Sequence, residues 1–155
     1  MSIFSIGDLE ILFRLVMAAV LCGAIGLERE YRLRPAAIKT NALIGMGTAL
    51  FTIASIGFAQ LGTEGSVDVS RVAAYIIAGI GLIGGATIIQ SRGIVKGLTT
   101  AASIWIVAAI GMVIGMGMYG PALIAAVLTI IIIAILRNVN LEEDDSVKRD
   151  HNLPR

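Results

Sequence analysis

Apolar runs of nearly the length that crosses a lipid bilayer recur five times along this chain, separated by short polar connectors. They extend from Asp8 to about Leu27, Ile38 to Leu61, Arg71 to about Gln90, Leu98 to about Met116, and Pro121 to about Arg137. A bilayer core takes roughly 20 helical residues, and every backbone N–H and C=O within it must be satisfied inside the segment. Each run is therefore predicted to be a helix. Only 15% of the residues are charged and 57% are hydrophobic, against about 25% charged in soluble domains. The expected fold class is all-α, a polytopic membrane helix bundle of about five transmembrane helices occupying residues 1–137. Residues 138–155, with Glu142-Glu143-Asp144-Asp145, read as a short charged tail without order.

Local signals set the expected boundaries. Asp8 reads as the first cap, with Glu10 in the first turn, where acids complement the positive end of the helix dipole. Ser70 reads as the cap of the third helix. Tyr119-Gly120-Pro121 reads as a tight turn, with Pro121 suited to the first turn of the fifth helix. Arg14 lies near the start of the first helix and reads as an anchor that snorkels to headgroups. The N-terminus lacks the basic region and cleavage site of a signal peptide, so no processing is expected. The single Cys22 excludes an intrachain disulfide. A formal net charge of +1 gives no footprint for nucleic acid.

Basic residues are unevenly distributed. Ten of the twelve Lys and Arg fall in the first and third connectors and the tail, leaving only Arg14 and Arg71 opposite. That asymmetry predicts a cytoplasmic C-terminus and an N-terminus outside.

The densest mixed-charge stretch is Glu28-Arg29-Glu30-Tyr31-Arg32-Leu33-Arg34-Pro35. Glu28/Arg32 and Glu30/Arg34 have the favourable i,i+4 order, and Pro35 disfavours helix at Arg34. Two readings stand side by side. One is a set of mutually paired surface charges, each worth little. The other is a polar site formed by Glu28, Arg29, Glu30, Arg34, Asn41, Thr99 and Thr100. Mg²⁺ binds through one or two carboxylates while keeping waters, so Glu28 and Glu30 are the candidate metal ligands. Two residues apart on a helix, they point about 200° from each other, and Glu28 is expected to face the bundle. Thr99-Thr100 opens the fourth helix, whose free N–H groups attract anions; a Glu28 or Glu30 carboxylate is expected to cap it, joining the first connector to Arg92 and Lys96.

Gly79-Ile80-Gly81-Leu82-Ile83-Gly84 spells G-x-G-x-x-G, but lies in an apolar helix without the strand that a dinucleotide site needs. Helix packing is the better reading for Gly79, Gly81, Gly84 and Gly85, and for Gly23, Gly26, Gly111 and Gly115. Gly111, Gly115 and Gly117 suggest that the third and fourth helices pack together. Trp105 reads as a packing residue, and Tyr119 as an interfacial aromatic. With no Ser/His/Asp, Cys/His or paired-His arrangement, no enzymatic chemistry is expected.

Three stretches resemble the signatures of the MgtC/SapB family of bacterial membrane proteins. The first is Gly23-Ala24-Ile25-Gly26-Leu27-Glu28-Arg29-Glu30, with Arg34-Pro35-Ala36 and Thr40. The second joins Arg71-Val72-Ala73-Ala74 to Gly79–Gly84, and the third is Gly97-Leu98-Thr99-Thr100-Ala101-Ala102-Ser103-Ile104-Trp105. Departures are Ala37 and Lys39 in place of Gly and Arg, Asn41 in place of His, and Tyr75 in place of Gln. The resemblance implies a bacterial inner (plasma) membrane protein linked to growth at low Mg²⁺ and to virulence in some pathogens. In some members it implies restraint of the membrane ATP synthase. Many relatives carry a further soluble domain, where this chain has a short tail.

The expected function is non-enzymatic: magnesium or ion homeostasis, exerted by binding a membrane partner, from a homo-oligomer in the lipid bilayer. The alternatives are a passive Mg²⁺ or other cation transporter or channel, and a structural oligomeric module.

Overall fold

A computed structural model describes residues 7–61, 68–91 and 94–135. Five helices form: α1 (Asp8–Tyr31), α2 (Ile38–Leu61), α3 (Val69–Gly85), α4 (Leu98–Gly115) and α5 (Tyr119–Ile135). Between α3 and α4 lies an antiparallel ribbon of β1 (Ile89–Ser91) and β2 (Ile94–Lys96). The all-helical architecture matches the sequence expectation. Three helices, α1, α2 and α4, are long and apolar enough to cross a membrane, while α3 and α5 are shorter at 17 residues each. The expected tail, with His151, and the end of the fifth helix at Arg137 lie outside the described residues.

Contacts of Arg29 with Thr100 and of Arg14 with Gly115 define two ends: one gathers residues 29–38, 85–91 and 94–100, and the other gathers the starts of α1 and α5 with the end of α4. α4 packs on all four other helices, and α2 contacts α1, α3 and α4. Lipid tails are as apolar as leucine, so this packing rests on close backbone approach at small residues. A Cβ at Gly26 would stand 2.7 Å from the Ile38 Cα, and one at Gly115 would stand 2.7 Å from the Ala49 carbonyl oxygen. Side chains at Gly45 and Gly111 would strike Cys22 and Thr48 respectively. The core so enclosed includes Ala18, Cys22, Ile25, Val107, Ile110 and Ile114.

Several boundaries differ from the sequence reading. α1 continues through Glu28-Arg29-Glu30 to Tyr31, and Arg32 caps it by donating its backbone N–H to the Arg29 and Glu30 carbonyls. Gly7, not Asp8, is its N-cap; Asp8 begins the helix itself. Asp68 caps α3 in place of Ser70, accepting from the Ser70 N–H at 2.9 Å and the Ser70 hydroxyl at 2.7 Å. Those two hydrogen bonds hold the Asp68 carboxyl below its usual pKa. The turn before α5 is Met116-Gly117-Met118, with Gly117 at φ 81°, and Tyr119 and Gly120 already belong to α5.

The third helix stops at Gly85 rather than Gln90. The Thr87 hydroxyl donates to the Gly84 carbonyl at 2.7 Å, closing the last turn, and the β-branched Ile88, Ile89, Ile94 and Val95 favour the ribbon that follows. Gly79 to Gly85 is continuous helix. The ribbon closes onto α4 at Gly97, whose φ of 92° lies in the left-handed region; a side chain there would strike the Thr87 carbonyl.

Candidate functional site

The face that α1 turns inward carries Ala18, Cys22, Gly26 and Arg29 at four- and three-residue spacing. It is therefore Arg29, between its two acidic neighbours, that enters the bundle, and it is 2% exposed. Its Nη2 donates to Thr100 Oγ1 at 2.7 Å and its Nε donates to the Pro35 carbonyl at 3.0 Å. Asn41, in the first turn of α2, is fully buried and donates from Nδ2 to the carbonyls of Ala36 and Ala37. Arg29 and Asn41 thus hold adjacent carbonyls of the connector from opposite helices. That connector needs holding, because Leu33 and Ala36 both adopt left-handed φ, at 52° and 57°, a conformation that costs side-chain-bearing residues about 1–2 kcal/mol.

The acidic neighbours diverge. Glu28 is largely buried and pairs through Oε1 with Arg32 Nε; its Oε2 has no hydrogen-bond partner among the described residues, nor has Asn41 Oδ1. Glu30 is exposed, and its Oε2 accepts from the Ile38 N–H at 3.3 Å, capping α2. The carboxylate cap expected on α4 is therefore corrected: Glu30 caps α2, and a guanidinium reaches Thr100. Thr100 is buried and Thr99 exposed, while the side chain of Arg34 is exposed. Among the described residues the ion pairs are Arg14–Glu10 and Arg32–Glu28, so Glu30 and Arg34 form none. Lys96 is exposed on β2, and Arg92 lies outside the described residues. Thr48 and Thr52 donate to carbonyls of their own helix. No three His, Cys, Asp or Glu side chains converge among the described residues.

The glycines divide equally sharply. Gly23 and Gly26 meet α2, Gly111 and Gly115 also meet α2, and Gly84 meets Ala101 of α4 at ordinary contact distance. Gly79, Gly81 and Gly85 face open space. α3 and α4 pack together as expected, with Gly84 against Ala101, but Gly111 and Gly115 serve the α2–α4 contact instead, and Gly117 lies beyond the helix. Trp105 is 53% exposed on the outer face of α4, next to a groove lined by Ile76, Ile80, Ala108 and Met112.

A second polar centre sits at the opposite end. Glu10 Oε1 accepts from Arg14 Nε at 2.9 Å and from the Tyr119 hydroxyl at 2.5 Å, and Arg14 Nη1 donates to the Gly115 carbonyl at 2.7 Å. The Tyr119 ring meets Phe13 edge-on, with centroids 5.4 Å apart. Arg14, expected to snorkel outward, instead ties α1 to the end of α4. The i,i+4 spacing of Glu10 and Arg14 was the available sequence signal.

Comparison with known proteins adds the lineage. The profile of the MgtC family matches residues 15–141. The chain belongs to the MgtC family. It is 45% identical over 133 residues to the YhiD protein of Escherichia coli (strain K12), whose name provisionally describes it as a magnesium transporter; the match covers 84% of this chain and 62% of that protein. It is 40% identical over 120 residues to the MgtC protein of Brucella abortus (strain 2308), covering 77% and 48%. A protein of Haemophilus influenzae is 37% identical over 139 residues, covering 86% and 58%. The chain thus spans about half to three fifths of the length of these relatives. No solved structure matches it. Membership of this family and three span-length apolar helices together mark a membrane protein.

Proposed function

We propose that this protein serves magnesium homeostasis as a non-enzymatic regulator that binds another membrane protein, rather than by carrying the ion. The family and the name of the Escherichia coli relative support the link to magnesium. The observation that carries the regulatory reading is the engagement of the intramembrane polar groups in ties between and within helices. Arg29 holds Thr100 and Pro35, Arg14 holds Glu10 and Gly115, and Thr48 and Thr52 bond back to their own helix. Ion pathways are lined by polar side chains facing a water-filled cavity. The groove of about 350 Å³ between α2 and α3 is instead mainly apolar, lined by Phe51, Val72, Ile76, Ile80 and Ile83, with Thr48 and Tyr75 as its polar members. The basic end faces the cytoplasm, the membrane is the bacterial inner membrane, and the open face at Gly79 and Gly81 joins copies of the chain. The membrane ATP synthase, implied by the family resemblance, is the first partner to test.

One observation favours transport: Glu28 Oε2 and Asn41 Oδ1 are buried with no hydrogen-bond partner among the described residues, as cation ligands would be. Mg²⁺ entry into liposomes holding the purified protein separates the readings. Entry equal to that of protein-free liposomes, together with recovery of a stoichiometric partner from native membranes, is the expected result. Saturable entry that Glu28→Gln abolishes overturns it in favour of a transporter.

A further inference from the structure

The end of the bundle formed by the first connector and the ribbon exposes apolar and basic side chains together. Tyr31 is 86% exposed and Leu33 is 95% exposed, with Arg34 and Lys39 exposed close by in the chain. On the ribbon, Ile89 and Ile94 are 63% and 61% exposed, and the strand register sets Ile89 opposite Lys96. A two-stranded ribbon has too little core to be stable alone in water, and exposed isoleucines gain nothing there. The ribbon is also held close to two apolar helices. Only Ala86, Thr87 and Ile88 join α3 to β1, and Gly97 alone joins β2 to α4.

We propose that this end is a collar that binds the headgroups of anionic phospholipids. Tyr31, Leu33, Ile89 and Ile94 enter the interfacial layer, where amphipathic rings and apolar side chains are favoured. Arg34, Lys39 and Lys96 lay their stems along that layer and reach the phosphates. Charge complementarity selects anionic lipid: Glu28 is already paired with Arg32 and Glu30 is bonded to the α2 terminus, which leaves these basic groups in excess. The opposite end also exposes apolar side chains, Leu9 and Leu61 among them, but has no basic excess: Arg14 is bonded to Glu10 and the Gly115 carbonyl, and exposed Arg71 is offset by exposed Asp68 and Asp8.

The test uses the full chain in phosphatidylcholine bilayers with and without phosphatidylglycerol, read by thermal unfolding and by lipid retention in native mass spectrometry. Phosphatidylglycerol is expected to raise the unfolding temperature and to be retained selectively. The Lys39→Gln/Lys96→Gln variant should lower that selectivity by about thirtyfold. Ile89→Ser/Ile94→Ser should weaken retention of both lipids while leaving their ratio unchanged. High salt should erase the selectivity of the unaltered protein, a readout that needs no variant to fold. Equal behaviour in the two bilayers overturns the proposal, as does selectivity that survives both the lysine changes and high salt. Inorganic phosphate reproducing the stabilisation at matched ionic strength would also overturn it, by making the site one for free phosphate.

Discussion

Arg29 and Thr100 are 71 residues apart in the chain, yet the Arg29 guanidinium donates to the Thr100 hydroxyl at 2.7 Å. The bond closes a path from the end of α1, through the first connector, to the first turn of α4. Because the planar guanidinium also donates to the Pro35 carbonyl, one side chain fixes the connector and a second helix at once. An ammonium is a point donor on a shorter reach and lacks that fork. Arg29→Lys is therefore expected to destabilise the protein by about 2–3 kcal/mol, and Thr100→Val by about 1.5–3 kcal/mol, since hydrogen bonds to charged groups are worth about that much. Chemical unfolding in detergent measures both; unchanged stability in either variant would remove Arg29 from this role.

At the other end, Glu10 accepts from both Arg14 and Tyr119, so the α1–α4 and α1–α5 ties share one carboxylate. Tyr119→Phe should cost about 1 kcal/mol. Glu10→Gln should cost more, because Arg14 loses its counter-charge. The double variant should fall measurably short of the sum, the mark of a shared network. Strict additivity would mean that the two contacts act independently.

Glycine substitutions should separate by environment. Gly111→Ala places a methyl against Thr48 and the Gly45 backbone, an overpacking expected to cost about 1–3 kcal/mol. Gly97→Ala combines a left-handed φ with a clash at the Thr87 carbonyl and should cost at least as much. Gly79→Ala and Gly81→Ala meet nothing within the chain and should leave the monomer as stable or slightly more so. If that face joins copies of the chain, the same two changes should weaken self-association in analytical ultracentrifugation; association that they leave intact would rule out that interface.

Acid should loosen the start of α3. The Asp68 carboxyl is held below its usual pKa by its bonds to Ser70. Its contribution is complete above the unfolded-state value of about 4 and is lost as pH falls through the lower folded value. The protection factors of the Ser70 and Arg71 amides should fall over that acidic window in the unaltered protein, and Asp68→Ala should show low protection at every pH. A flat profile in the unaltered protein would mean that the cap contributes nothing.

The sequence by itself determined the helical class, the apolar spans and their short connectors, and the family, because hydropathy and motif order are properties of contiguous residues. It also marked Glu28 to Arg34 as the polar centre at one end. Only the tertiary structure decided that Arg29 rather than a carboxylate reaches α4, and that Glu30 turns away to cap α2. Likewise, Gly111 and Gly115 look the same on paper as Gly79 and Gly81, yet one pair touches α2 and the other touches nothing in the chain. The physical reason is that transfer into lipid selects a whole segment by its average polarity and is nearly indifferent to its rotation. Rotation is set by where small residues allow two backbones to close, and that requires the neighbouring helix.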